Sequence, residues 1–561
     1  MHQVIKDHKL LIVALLIAAI LRLWGLSVNP PHLASDEATL GYNAYSILET
    51  GRGEHGQFLP IIFQSFGDWK PGLYIYLDVP FIAVFGLNEL ATRLPAAIFG
   101  IMTVWFVYLL VGELFWGKLW AGKVQIFTAF FLAISPWHIH FSRGAWEAGV
   151  SLSLTVLAIY LFFRAIRGRP TFLIFSAVVF GLTLLTYQGA KLSTGVVLLA
   201  LAILFARDIV KLPRVVITKS VLAGFILVLP VLFSFFDGKV GRLAVFSVFS
   251  YPRLQGDTEE ILRLGEITKN SWQYVVYHSE PLHLAKGVLE RWMNHFSPRF
   301  LVFQGDWSSK RHNIPDGGMF LFVDALFLVL GFIFLARQKN DKKILFLWFW
   351  LLLAPLSAAF SRDSIHAVRS LNMVIPLTIL LGLGAYSLFD FLKGKRTGKF
   401  FAAVVLVCYI GSFSYYLDQY WVHAPVRGSQ FWQYGYKQMV QKVNAVEDQY
   451  DEIVVEQSYN QPYIYFLFYQ KYPPQKWQAQ IKDSYVPSPF GDVGLFTKLD
   501  NITFRAINWS GDKLLSKKLF VVFDNTVTVP RSDLADTDRF KYIDQIDFLN
   551  RKIGFLLLGV K

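Results

Sequence analysis

Two carboxylates stand side by side in the run SDEATLGYNAY, residues 35–45, where Asp36 and Glu37 follow an apolar segment ending near Val28. The next polar cluster is FGDWKPGLY, with Asp68 and Lys70; SPWHIHFSRGAWEAG supplies His138, His140, Arg143 and Glu147, and TYQGAK supplies Tyr187, Gln188 and Lys191. Residues 296–320 bring Arg299, Asp306, Lys310, Arg311 and His312 close together, and SRDSIHAVRS adds Arg362, Asp363, His366 and Arg369. A carboxylate can take a proton from a hydroxyl as a general base. Lysine and arginine can stabilise a phosphate as it leaves, lysine as a point charge and arginine as a two-pronged donor. Proton abstraction coupled to departure of a phosphate is the chemistry these residue types suit. Each feature also has a plain structural reading. Acidic residues in a first helical turn offset the helix dipole, an interfacial lysine snorkels, and Trp137 and Trp146 fit an aromatic belt. Histidines and carboxylates on several loops admit a divalent metal, with no diagnostic spacing. Convergence of the clusters on one side is what favours the chemical reading.

The elements that must position these residues are membrane helices. Of 561 residues, 54% are hydrophobic, 16% aromatic and only 17% charged, and several apolar runs reach the roughly 20 residues needed to cross a bilayer. The net charge of +14 reflects topology. Basic residues gather in short gaps between apolar runs: Arg164, Arg167 and Arg169; Arg207, Lys211, Arg214 and Lys219; Arg337, Lys339, Lys342 and Lys343; and Lys393, Lys395, Arg396 and Lys399. This is the positive-inside pattern, not a nucleic-acid footprint. The sequence carries Lys6 and Lys9 and then an apolar stretch from Leu10 to Val28 without a small-residue cleavage site, which reads as an uncleaved first span whose Arg22 snorkels to the interface. The single cysteine, Cys408, allows no intramolecular disulfide.

Placing the N-terminus and all four basic gaps on the cytoplasmic side gives about eleven spans, near 10–28, 92–112, 124–141, 147–164, 171–187, 191–206, 219–236, 318–336, 343–360, 371–391 and 400–417. The apolar stretch Leu73 to Gly86 then does not cross; it is short, contains Asp78 and Pro80, and reads as a re-entrant or interfacial helix. Every cluster named above falls on the outer face, in a first outer loop at 29–91, a long outer loop at 237–317 and shorter connections between. The expected organisation is a transmembrane domain at 1–418 and an extracytoplasmic α/β domain at 419–561. In that tail EIVVE and LFVVF read as buried strands, PYIYFLFYQKY as a helix, and IGFLLLGV closes the chain. Ser35 is the expected cap of a short amphipathic helix on the membrane, with Asp36 and Glu37 in its first turn and Gly51 or Gly53 at its end.

A carboxylate base and cations at the headgroup level, with neither a Walker loop nor a strand-linked glycine fingerprint, suit transfer of a sugar from a polyprenyl phosphate. Asp36 is the expected base, and Lys70 with one or more arginines the phosphate stabilisers. The run from Ser35 to Gly100, together with SPWHIHFSRGAWEAG and TYQGAK, resembles bacterial membrane glycosyltransferases of the GT-C fold, family 39 type, related to protein O-mannosyltransferases and the lipid A aminoarabinose transferase. The acidic pair after the first span, the lysine-proline before an interfacial helix, and ATRLPAAIFG come in the same order, and the likeness covers roughly residues 30–195. It implies an inverting transfer from a polyprenyl-phosphate sugar, with Asp36 in the place of the family's base and Lys70 in that of its phosphate-binding lysine. The full expectation puts Asp36 and Glu37 in catalysis, Lys70, Arg143, Arg311 and Arg369 at the donor phosphate, and Asp68, Tyr187, Gln188, His312 and His366 at the substrate. The acceptor would be a lipid, glycan or protein in contact with membrane lipids, and nucleic acid is no partner. No metal ligand set is assigned, though a divalent ion is admitted. Lys70, Pro71 and Gly72 stand where the eukaryotic enzymes carry histidine-proline-proline, which brings the chain closer to the lipid-modifying branch. The competing class is a transporter or flippase of lipid-linked sugars, which would show paired repeats and ionisable residues near the midplane.

Overall fold

The computed structural model describes residues 2–237, 247–338, 341–487, 494–524 and 526–561, with side chains from Lys9 onward. The side chain of Lys6, and Lys339 and residues 238–246 of the long loop, fall outside that description. The chain begins with α1 (His2–Leu23), and α2 (Ser35–Thr50) follows. A hairpin of β1 (Ile62–Ser65) and β2 (Asp68–Pro71) leads into α3 (Leu73–Phe85) and α4 (Glu89–Leu114). Next come α5 (Ala121–Ala133), α6 (Pro136–His140), α7 (Glu147–Ile166), α8 (Phe172–Leu184), α9 (Ala190–Val210) and α10 (Arg214–Phe236). The long loop carries helices Gln255–Leu264 and Glu280–Asn294, and the later apolar helices are Asp324–Arg337, Lys342–Leu353, Val374–Leu392 and Gly398–Asp418.

Every stretch read as a span contains a helix. Among the described residues, seven helices are long and apolar enough to cross a membrane. Others are short: α5 and α8 have 13 residues and Asp324–Arg337 has 14. The 13 residues of α3 reach about 20 Å, the same length as α5 and α8. Asp324–Arg337 and Val374–Leu392 pack backbone to backbone, because a Cβ on Gly384 would stand 2.0 Å from Phe327 O and one on Gly331 2.1 Å from Leu380 O. At one end of the bundle the basic gaps meet: Arg164 and Arg167 both bind Glu113, Lys343 donates to the Glu113 carbonyl, and Lys342 pairs with Asp208.

The opposite end carries the α/β domain. Its sheet runs β6-β7-β3-β8-β10-β9, built from β3 (Glu452–Glu456), β6 (Lys498–Leu499), β7 (Ile502–Arg505), β8 (Lys518–Phe523), β9 (Phe540–Asp547) and β10 (Ile553–Val560), while β4 (Tyr485–Val486) and β5 (Leu495–Phe496) pair separately. β3 lies parallel to β7 and β8, whereas β10 is antiparallel to β8 and β9. EIVVE and LFVVF are thus strands and Pro462–Tyr469 a helix, as expected, and IGFLLLGV, for which no element was expected, is a strand as well. At residue 418, the expected boundary between the two domains, the chain remains helical. The helical run continues through Gln419–His423 to Gly428, and one apolar core joins Tyr42, Ile47, Phe63 and Tyr74 to Tyr436, Tyr463, Trp477 and Phe504.

Three local expectations are corrected. The cap of α2 is Ala34, whose N–H donates to Glu37 Oε2 at 2.9 Å, and Ser35 is already helical. Nor does α2 lie on the membrane surface: most of its residues are buried, between α3 and α4 on one side and tail helices Pro462–Tyr469 and Pro474–Ser484 on the other. Gly41 permits this, since a Cβ there would come 2.4 Å from Thr92 Oγ1. Arg22 does not snorkel either. It is fully buried and donates to the carbonyls of Ala18, Leu132 and Ala133 while meeting His138 Nδ1.

Candidate active site

The site forms where α2 meets the β1–β2 hairpin. Strand pairing sets Lys70 opposite Phe63 and Asp68 opposite Ser65. The turn between the strands is only Phe66 and Gly67, with φ of 53° and 77°, the left-handed pair that a tight hairpin demands. This geometry projects Lys70 to the first turn of α2, where its Nζ lies 2.6 Å from Asp36 Oδ1. The lysine side chain is 12% exposed and that of Asp36 51%, so the carboxylate is the accessible partner. Burial opposes protonation of Lys70, but Asp36, Glu147 and Asp68 outweigh it and hold the ammonium above its ordinary pKa. Asp68 is buried, and its Oδ1 accepts from Trp69 N–H at 2.8 Å. Gln188 Nε2 donates to the Trp69 carbonyl, while its Oε1 is buried and has no hydrogen-bond partner among the described residues.

The cationic half of the site adjoins this acidic half. Tyr187, pushed up to about 12 by burial, lies within electrostatic reach of both Arg369 and Glu147. Arg369 Nη1 meets Asp363 Oδ2 at 2.9 Å. Arg311 sits 5.1 Å from the Trp146 ring, and that ring lies 5.5 Å from the His312 ring. His366 is not helical; it occupies a turn whose Arg369 N–H donates to its Nδ1 at 3.3 Å. Asp306, His312 and His366 bring one ligand atom each within 4.8 Å of one another. His312 Nδ1 pairs with Asp306 Oδ2 at 3.0 Å, and the same oxygen accepts from Ala367 N–H at 2.8 Å. Burial draws the pKa of both imidazoles down. Burial works against Asp306, but hydrogen bonds from His312, Ala367 and Ser308 keep its carboxyl below the usual range. One carboxylate with two neutral imidazoles is a donor set that suits a divalent ion.

Glu37 and Arg143, expected in catalysis and phosphate binding, commit their polar atoms inside the fold instead. Glu37 Oε1 accepts from Arg93 Nε at 3.0 Å and from Ala145 N–H at 2.8 Å, and its other oxygen closes the α2 cap. Arg143 is fully buried, with Nη1 on the Leu21 carbonyl, Nη2 on that of Asn29 and Nε on the Tyr420 hydroxyl. Both fasten the site's frame and are not aimed into it. Partners from the tail went unread in the sequence. Gln433 Oε1 accepts from Ser35 N–H and from the Tyr465 hydroxyl, so the C-terminal domain grips α2 directly beside Asp36. Glu54, fully buried, accepts from Thr39, one turn along α2 from Asp36.

Comparison with known proteins places this arrangement. Residues 70–233 match the family described as dolichyl-phosphate-mannose-protein mannosyltransferase. No curated protein sequence matches the chain. The structure is similar to ArnT from Cupriavidus metallidurans in the apo state, with 12% identity, 100% of this chain and 98% of that chain covered, and a TM-score of 0.53. It is likewise similar to ArnT bound to undecaprenyl phosphate, with 12% identity, 99% and 98% covered, and a TM-score of 0.51. The Archaeoglobus fulgidus oligosaccharyltransferase tethered with an acceptor peptide matches at 13% identity and a TM-score of 0.50 over 82% of this chain, which spans 63% of that protein. The fold is therefore that of a polytopic membrane protein of the GT-C type, as the resemblance of the first third of the chain implied.

Proposed function

We propose that this chain is a membrane glycosyltransferase that moves a sugar from a polyprenyl phosphate to an acceptor on the extracytoplasmic side of a prokaryotic plasma membrane. The observation that carries the reading is the contact between Asp36 and Lys70, a half-exposed carboxylate paired with a largely buried ammonium at the end of the bundle that bears the α/β domain. Lys70 stays paired with Asp36 until the donor arrives. The donor phosphate then takes the ammonium, assisted by Arg369 and Arg311, and frees Asp36 to accept the proton of the acceptor hydroxyl. The acceptor oxygen attacks the anomeric carbon, the bond from that carbon to the phosphate oxygen breaks, and polyprenyl phosphate leaves with its electron pair. A single displacement inverts the anomeric centre. Asp68, Tyr187 and Gln188 stand beside the hairpin, where they would meet the sugar hydroxyls. Asp306, His312 and His366 are the residues that would hold a divalent ion, whose charge would help bind phosphate.

Support for this reading comes from the matched family and from the fold shared with ArnT, one of whose structures binds undecaprenyl phosphate. The test is to offer the purified chain a panel of polyprenyl-phosphate sugars with host membrane extract and to measure free polyprenyl phosphate. Release with at least one donor is expected. Binding of these lipids without release from any of them would favour the transporter class.

A further inference from the structure

Helix Gly398–Asp418 packs lightly on the bundle: of its residues only Gly398 and Tyr416 are buried, and Tyr409 anchors it by donating to Asp324 Oδ1 at 2.6 Å. Phe400, Phe401, Leu406, Val407 and Ile410 all face outward. Between this helix and α5 lies a groove of about 530 Å³, whose lining is apolar or aromatic throughout. Leu10, Leu392 and Ala402 stand at one end, and Ile134, Phe327 and Tyr409 at the other. The first end is the basic end of the bundle, opposite Asp36 and Lys70. Lys9, Lys393, Lys395, Arg396 and Lys399 are exposed around it, with Asp390 the exposed acid among them. Lys123 Nζ lies 4.6 Å from the ring of Phe389, which lines the groove, and Lys395 Nζ lies 3.2 Å from the ring of Phe391.

An apolar groove of this size inside a bilayer stays neither vacant nor wet. An unfilled void forfeits the dispersion contacts of its walls, and water has no polar partners there. The filling must be aliphatic and must end in a group that suits a cationic rim. Basic residues between membrane helices on the cytoplasmic side attract anionic headgroups. We propose that the groove is a binding site for an anionic phospholipid of the leaflet at the basic end, with one acyl chain between Gly398–Asp418 and α5 and the phosphate among Lys123, Lys393 and Lys395. This lipid joins a loosely packed helix to the bundle. It is distinct from the sugar donor, whose phosphate belongs at the other end.

The full chain is purified, stripped of lipid, and placed in bilayer discs of phosphatidylglycerol or of phosphatidylcholine, and retained lipid is read by native mass spectrometry from mixed discs. The wild type is expected to retain phosphatidylglycerol in several-fold excess over its share of the mixture, and to melt at a higher temperature in phosphatidylglycerol. Two variants test the site. Ala402→Trp fills the groove from an exposed position, and the double variant Lys123→Gln, Lys395→Gln discharges the rim without touching the core. Both are expected to bring the retained ratio to that of the mixture. An unchanged excess in both variants, no excess in the wild type, or retention of a polyprenyl phosphate in place of the phospholipid would each overturn the assignment.

Discussion

Lys70 Nζ stands 2.6 Å from Asp36 Oδ1, across 34 residues of chain and between two elements that share no backbone pairing. The contact exists because the tight Phe66–Gly67 turn aims one strand of the hairpin at the first turn of α2. Burial opposes the charge on Lys70, and Asp36, Glu147 and Asp68 together hold its ammonium above the ordinary pKa. A cationic partner for the singly charged phosphodiester of the donor is thus held ready beside the base that the same phosphate would release.

Replacing Lys70 by alanine should weaken donor binding more than it slows the bound complex. A hydrogen bond to a charged group contributes about 1.5–3 kcal/mol, so KM for the donor should rise roughly ten- to hundredfold. Lys70→Arg should recover part of it. A change in kcat alone, with KM for the donor unaltered, would take the phosphate away from this lysine.

Glu37 should behave quite unlike its neighbour. It is buried against Arg93, and removing one partner of such a pair costs about 3–5 kcal/mol because the other charge is stranded. Glu37→Ala should therefore lower the thermal midpoint sharply or prevent purification. Asp36→Asn, at a half-exposed position, should melt as the wild type does.

Burial lifts the Glu54 carboxyl to about 7 from its ordinary 4.5. The neutral acid is the form the fold favours. Its contribution is complete below pH 4.5, fades as pH rises and is lost above about 7, which amounts to about 3 kcal/mol at most. Glu54→Gln should remove that slope, so that the difference between wild-type and variant melting temperatures changes steadily between pH 4.5 and pH 7.5. Parallel curves would show that Glu54 is ionised throughout.

Gln433 tests the grip of the C-terminal domain on α2. Gln433→Ala leaves Ser35 N–H without its acceptor, at a cost of about 0.5–1.5 kcal/mol. The expected result is a three- to tenfold fall in kcat with KM and melting temperature little altered. An unaffected kcat would confine the tail to a structural role.

Much of this was legible in the sequence. The spans follow from apolar length, the tail strands EIVVE and LFVVF from short β-branched and aromatic runs, and Asp36 and Lys70 from their position after the first span and before a short apolar helix. Glu37 and Arg143 were misread for one reason: a charged side chain in a polar loop looks the same whether it faces a substrate or a carbonyl, and only packing tells them apart. Arg93 was hidden inside an apolar run, although an arginine there demands a buried partner. Gln433 and Glu54 carried no signal at all, because they reach α2 through contacts that no local pattern encodes. Tail strands and membrane loop share a core that is continuous in space but not in sequence, which no local composition encodes.

The central claim is that Asp36 takes the acceptor's proton. Release of free polyprenyl phosphate by the wild type and by Asp36→Asn, on a donor that the wild type turns over, tests it most directly. Loss of the base should slow release by roughly 10²–10⁴-fold, with donor binding and melting temperature retained. Wild-type turnover by Asp36→Asn would contradict the account.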